Sequence, residues 1–180
     1  MKEEFAYVLD FFPYGKPEKF IKEPVVHCIG EKYLILLEVT IKPNVKVDLK
    51  ERIYIGSGKR DKVNRILRRI KYNELSETAK NILEELLLEI VKINEKRFIK
   101  IFNISAPITS KKHSLELISG IGKKTLEIIL SERAKKPFES YEDLEKRVGV
   151  TDIKKAIVKR IIDELQEKDE YKLFVENILI

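Results

Sequence analysis

The stretch His113-Ser-Leu-Glu-Leu-Ile-Ser-Gly120-Ile121-Gly122-Lys123-Lys124-Thr-Leu-Glu-Ile-Ile-Leu130 decides how the last third of the chain folds. Leu115, Leu117 and Ile118 fall on one short helix, and Leu126, Ile129 and Leu130 on the next. Between them Gly120-Ile121-Gly122 predicts a turn too tight for side chains. The glycines permit positive φ, and Ile121 fills the gap between the helices. The second helix then begins with uncapped backbone N–H groups beside Lys123 and Lys124. Free amides, the positive end of the helix dipole and two ammonium groups in one place make a phosphate site.

This spacing resembles the helix-hairpin-helix pattern, which in its family binds nucleic-acid backbone without reading base sequence. A degenerate second copy follows. Ser140-Tyr-Glu-Asp143 reads as a capping box opening a helix to Val148, Val148-Gly149-Val150 as the turn, and Thr151 as the cap of a helix carrying Ile153, Ile157, Ile161 and Ile162. It has one glycine, and Asp152 stands where a base would help hold phosphate. We read it as structural, completing a four-helix unit that one hairpin cannot stabilise alone.

Upstream the periodicity changes. Phe5–Leu9 alternates, Pro24–Gly30 and Lys32–Ile41 are apolar runs joined at Gly30-Glu31, and Glu51–Gly56 is a fourth strand candidate. Short strands separated by Pro- and Gly-bearing turns suit a small barrel. From Asp61 to Tyr72, Val63, Ile66, Leu67 and Ile70 recur at helical spacing and predict a basic helix trailing the barrel. Ser76 is the expected N-cap of a long helix whose stripe runs from Ala79 through Ile90 and continues towards Ile104, with Pro107 ending it. The expected organisation is therefore residues 1–72, a connecting helix over 73–108, and a hairpin domain over 109–180.

The formal net charge is +6 and the sequence pI about 9.2. Gly56–Tyr72 alone holds Lys59, Arg60, Lys62, Arg65, Arg68, Arg69 and Lys71 against the single acid Asp61. Val91–Lys136 is also strongly basic, whereas Asn73–Ile90 and the last eighteen residues are acidic. Clustering of this kind fits a polyanion footprint better than a solvated Lys/Arg face, where the signs would be interspersed.

Three segments carry a family resemblance: FAYVLDFFPYGKP near the start, ERIYIGSGKRDKVNRILRRI in the middle, and HSLELISGIGKKTLEIIL followed by PFESYEDLEKRVG. Over nearly all of its length the chain resembles the archaeal domain-of-unknown-function 655 family. Its last third is also similar to the tandem helix-hairpin-helix module of the Holliday-junction branch-migration protein. The resemblance implies an α+β protein, with a small OB-like (S1-like) β-barrel, a helical linker and a C-terminal tandem helix-hairpin-helix domain. It also implies a nucleic-acid-binding role, on RNA rather than DNA.

Several chemistries are excluded or set aside. A single cysteine, Cys28, rules out an internal disulfide and any all-thiolate metal site within one chain. His27 and Cys28 point to opposite faces of a strand and do not share an ion, so no metal is predicted. Gly56-Ser57-Gly58-Lys59 lacks the spacing of a nucleotide-binding loop, and no cofactor is expected. There is neither a Gly-Pro-Asp segment after the hairpin, as glycosylases carry, nor a carboxylate cluster of the two-metal kind, so no enzyme is predicted. No apolar run is long enough to span a membrane, and the acids Glu3 and Glu4 stand where a secretion signal needs bases, which predicts a cytoplasmic protein. The low Met and Gln content with abundant Lys and Glu suits a thermophile.

The residues together predict a non-catalytic RNA-binding protein. Lys59, Arg60, Lys62, Arg65, Arg68 and Arg69 form an electrostatic funnel; Gly120, Ile121, Gly122, Lys123 and Lys124 form a backbone clamp. Tyr7, Phe11, Phe12, Tyr14, Tyr33 and Tyr54 are stacking candidates, Tyr14 being the one expected to be exposed. The alternatives are a structure-selective DNA-binding protein and an adaptor for a protein partner. The adaptor would use the acidic helix and the apolar tail Leu173, Phe174, Val175, Ile178, Leu179 and Ile180. That tail is otherwise expected to pack on the barrel.

Overall fold

The computed structural model describes residues 2–178 and divides into two compact units, 1–86 and 87–180. The boundary lies within one helix, α1 (Glu77–Ile93).

The first unit is a curled, five-stranded antiparallel half-barrel. Its strands are β1 (Phe5–Phe12), β2 (Val25–Gly30), β3 (Leu36–Ile41), β4 (Arg52–Tyr54) and β5 (Val63–Arg69), in the order β4-β1-β2-β3-β5. Alternation sorts each strand between two faces. Ala6, Val8, Val26, Cys28, Leu37, Val39, Ile41, Ile53 and Val63 fill one core. Cys28 is therefore a buried core thiol, with its pKa raised by burial. The opposite face carries a polar row. Asp10 pairs with His27, His27 with Glu38, and Glu38 with Arg68, across four strands.

At the centre of that row Glu38 is 1% exposed. Its Oε2 lies 2.6 Å from the Lys16 ammonium and 3.0 Å from His27 Nε2, and its Oε1 accepts a 3.0 Å bond from Arg68. Burial works against this carboxylate, but the hydrogen bonds and charges of Lys16, His27 and Arg68 win and hold it at about 2. The His27 pKa is lowered as well, here because burial favours the neutral imidazole over the charged one.

Residues 63–69 form a strand, which corrects the basic helix that their spacing predicts. The ladder to β3 pairs Ile41 with Val63, Val39 with Ile66 and Leu37 with Arg69, and skips Asn64 and Leu67. Two bulges thus insert two extra residues, and the core-side positions recur every third residue instead of every second. A doubly bulged strand and one face of a helix leave the same apolar signature. The turn between β2 and β3 is also longer than Gly30-Glu31, with the Gly30 N–H donating to the Ile35 carbonyl at 2.9 Å.

The second unit is helical apart from a small hairpin, β6 (Pro107–Thr109) and β7 (Lys112–His113). Ser76 caps α1 as expected, its Oγ accepting from the Ala79 N–H at 3.1 Å. The predicted continuation to Ile104 is a separate helix, α2 (Glu95–Ile104), after a break at Asn94. There follow α3 (Lys123–Lys135), α4 (Tyr141–Val148) and α5 (Ile153–Leu165).

The tail belongs to this unit, which corrects its expected packing on the barrel. Leu173, Phe174 and Val175 are buried, and the Phe174 ring lies 5.7 Å from that of Phe98 in α2. The Glu164 carboxylate holds the segment by accepting the N–H groups of Leu173, Phe174 and Val175 at 2.7, 3.0 and 2.8 Å. Ile178 is exposed, and Leu179 and Ile180 lie outside the described residues.

Candidate nucleic-acid interface

At the first hairpin the element before the turn is a single 3-10 turn, Ser114–Leu117, not an α-helix; His113 caps it through Nδ1 at 3.1 Å from the Leu115 N–H. Gly120 has φ +89°, a conformation that favours glycine, and Ile121 is buried as expected. The turn is not tight, however. A Cβ on Gly120 or Gly122 meets nothing within 4 Å. Gly122 has extended backbone (φ −90°, ψ −176°) and is the N-cap of α3, where it offers no side chain to accept from the helix. Lys123 and Lys124 flank this uncapped end, both exposed.

The two glycines should therefore respond oppositely to substitution. Gly120→Ala forces a left-handed alanine and is expected to cost about 1 kcal/mol. Gly122→Ser supplies the missing cap and should raise stability by a few tenths of a kcal/mol. Urea melts of the two variants check this, and equal losses at both positions would contradict the assigned conformations.

The second hairpin differs in one decisive contact. The Ile153 N–H at the start of α5 donates to Glu145 Oε1 at 2.9 Å, so an internal carboxylate already occupies the end of that helix. Asp152, not Thr151, is the N-cap residue, and Lys155 lies 3.8 Å from its carboxylate. Lys154 sits over the Tyr141 ring at 5.3 Å. The Ser140 cap forms as predicted, accepting from the Asp143 N–H at 3.0 Å, although Asp143 reaches back to the Glu139 N–H and not to that of Ser140.

In the first unit the basic residues divide by what they touch. Lys62 pairs with Glu51, Arg65 with Glu23 at 2.8 Å, and Arg68 with both Glu38 and Glu74. The Arg68 hydrogen bond is the largest cause of a Glu74 carboxyl held at about 2. Lys59 is exposed on the turn after β4, Arg60 donates its Nε–H to the Gly56 carbonyl at 2.8 Å, and Arg60 and Arg69 line an open cleft. Tyr54 organises this turn. Its Oη accepts the Gly58 N–H at 3.0 Å, and its ring lies where any Cβ on Gly56 would fall, 2.5–2.8 Å away.

Of the six aromatic candidates Tyr14 alone is exposed, at 88%. Tyr7 donates to Glu31, Phe12 packs edge-on against His27, Phe11 and Tyr33 cover the barrel core, and Tyr54 packs against Phe5. Phe20, which the sequence reading missed, is 94% exposed at φ +56° on the same β1–β2 excursion as Tyr14. A bulky residue in that conformation is uncommon, and local pattern carries no signal for it. Among the described residues no group of three or more His, Cys, Asp or Glu could hold a metal ion, and no helix is long and apolar enough to cross a membrane.

An α+β chain with a bulged basic edge strand and an uncapped lysine-flanked hairpin defines the class. The chain belongs to the DUF655 family, described as a protein of unknown function, whose profile matches residues 2–176. It is 47% identical over 176 residues to the uncharacterized protein MJ0038 of Methanocaldococcus jannaschii, covering 97% of this chain and 80% of that protein. The crystal structure of Af1531 from Archaeoglobus fulgidus, of the same family, superposes with a TM-score of 0.84 at 43% identity, covering 96% of this chain and 99% of that one.

Proposed function

We propose that this protein is a non-catalytic, cytoplasmic binder of nucleic acid, RNA in preference to DNA, that works through backbone phosphate. The observation that carries the reading is the concentration of cations on the turn after β4 and on the edge strand β5, namely Lys59, Arg60, Lys62, Arg65, Arg68 and Arg69. The strand order β4-β1-β2-β3-β5 supports an OB-like barrel opened between its fourth and fifth strands, an architecture suited to single strands. Because Lys62, Arg65 and Arg68 already pair with acids, the first contact falls to Lys59, exposed on the turn after β4. Gly120 to Lys124 adds a backbone clamp of helix-hairpin-helix type. Its neighbour has that position closed by Glu145, which supports a single working hairpin.

The test is a charge inversion at each hairpin. Lys123→Glu with Lys124→Glu places acids in the first turn of α3, where they suit the helix dipole, so the melting temperature should hold. Affinity for a structured RNA should fall tenfold or more, about 1.4 kcal/mol, with a shallower salt dependence. The same change at Lys154 and Lys155 should do much less. Equal losses at both hairpins, or none at either, would remove the clamp from the reading.

A further inference from the structure

Between β1 and β2 the chain leaves the sheet for an excursion over residues 13–24. The base of this excursion is pinned twice. Lys16 and Ile21 exchange backbone hydrogen bonds of 2.8 and 3.1 Å, and the Lys16 ammonium is buried against Glu38 and His27 in the polar row of the sheet. Gly15, at φ +72°, permits the close crossing, since a Cβ there would lie 2.2 and 2.7 Å from the Ile21 and Glu23 carbonyl oxygens. The single turn Pro17–Lys19 closes the tip, with the Phe20 N–H donating to the Pro17 carbonyl at 2.9 Å.

The aromatic groups that this excursion displays stabilise nothing in the fold. Phe20 and Tyr14 stand almost wholly in solvent, and among the described residues neither ring packs on another ring or takes a cation. Phe20 also holds φ +56° and ψ +25°, a left-handed conformation that a bulky side chain adopts at a cost and that Asn or Gly takes more readily. A side chain ill-suited to its backbone and idle in the core points to a role outside the fold.

The surroundings select the partner. Ile21 is half-buried and the exposed neighbours of Phe20 are Pro17, Glu18, Lys19 and Lys22, so the ring stands among polar groups. A protein or membrane partner calls for a contiguous apolar patch, which is not formed here. Lys22 pairs with no acid among the described residues, and Lys19 reaches Glu74 only at 3.7 Å. Glu23 is occupied by Asn64 and Arg65, which leaves Glu18 as the acid at the tip. An isolated ring with a lysine two residues on suits a nucleotide, whose base stacks by its flat face and whose phosphate takes the cation.

We infer that the β1–β2 excursion is a base-stacking platform for single-stranded RNA, with Phe20 and Tyr14 each taking the face of a base and Lys22 an adjoining phosphate. The inference rests on the nucleic-acid reading above and gives it a site separate from the hairpin. Contacts of this kind are sequence-tolerant, because every base offers a flat face.

The chain contains no Trp, so Phe20→Trp places a single such fluorophore at the tip of the full chain. Its emission should be quenched by oligoadenylate and not by an abasic oligomer of the same length, which carries the phosphates without the bases. Phe20→Asn suits the left-handed backbone, so its melting temperature should hold or rise. Its affinity for oligoadenylate should fall by about fivefold or more, while that for the abasic oligomer stays unchanged. Tyr14→Ser should weaken oligoadenylate in the same base-dependent way. Oligoadenylate binding that neither quenches Phe20→Trp nor weakens in Phe20→Asn would overturn the platform and leave the wider reading standing. Equal quenching by both oligomers would overturn stacking and reduce the tip to an anion contact. Failure of the wild-type chain to bind oligoadenylate would overturn both. A blue shift of Phe20→Trp on vesicles of anionic phospholipid, without quenching by oligoadenylate, would overturn the platform in favour of a lipid surface.

Discussion

Glu164→Ala is expected to cost the second unit about 3–5 kcal/mol, the usual result of breaking a buried, hydrogen-bonded ion pair. Glu164 is 2% exposed and accepts from four donors: the Arg160 Nε–H at 2.8 Å and the backbone N–H groups of Leu173, Phe174 and Val175. Alanine strands three amides of buried residues beside the Phe98–Phe174 contact without their acceptor. Arg160 keeps Asp169, at 2.7 and 3.1 Å, and the Tyr171 carbonyl, so its charge is not orphaned. The loss therefore concentrates on the tail. Thermal melts should drop by roughly 10 °C or more, and amide exchange at residues 173–175 should accelerate before the helices lose protection. A shift of a degree or two would show that the tail is not held by this carboxylate.

Glu38→Gln is the second large effect, and its pH dependence distinguishes it from a simple packing loss. The substitution removes the negative charge facing the buried Lys16 ammonium and Arg68 and turns one of the two acceptor oxygens into an NH2 donor, again about 3–5 kcal/mol at neutral pH. In the wild type Glu38 is held at about 2 against an ordinary 4.5. The unfolded chain thus binds the proton first as pH falls. The stabilisation is fully present above about pH 4.5 and is lost progressively towards pH 2, about 3 kcal/mol in all. His27, lowered mainly by burial, adds an earlier step of the same sign. Its unfolded form takes a proton near 6.5 while the folded form resists, so stability already declines below that pH. Melting temperature against pH should fall in two stages for the wild type, and Glu38→Gln should make the lower one smaller, leaving the part that Glu74 contributes. An unchanged acid limb in the variant would place the titrating carboxylate elsewhere.

Much of the architecture is legible in local pattern. Phe5 to Leu9 reads as a strand by its alternation, and the runs at 25–30 and 36–41 read as strands because both faces of β2 and β3 are buried and few positions can be polar. Ser76 and Ser140 announce helix starts because a hydroxyl there satisfies an amide three residues on. Gly120 marks a left-handed turn because other residues pay for that φ. Cys28 and His27 part to opposite faces by the same period of two.

Tertiary structure decided what local pattern could not encode. Val63, Ile66 and Ile70 carry a helical spacing, but the β3 ladder claims the segment and absorbs the mismatch in bulges at Asn64 and Leu67. Arg68 reads as a free cation until Glu38, thirty residues away, is set opposite it. The two hairpins look like strong and weak copies of one phosphate site, yet the contrast lies in Glu145, whose carboxylate closes the second helix start. The tail reads as an apolar surface until Glu164 gathers its amides. In each case the deciding partner comes from another element of the fold. Local periodicity records which side of a segment avoids water, whereas the partner for a buried charge or amide is chosen by which strands and helices the fold brings alongside.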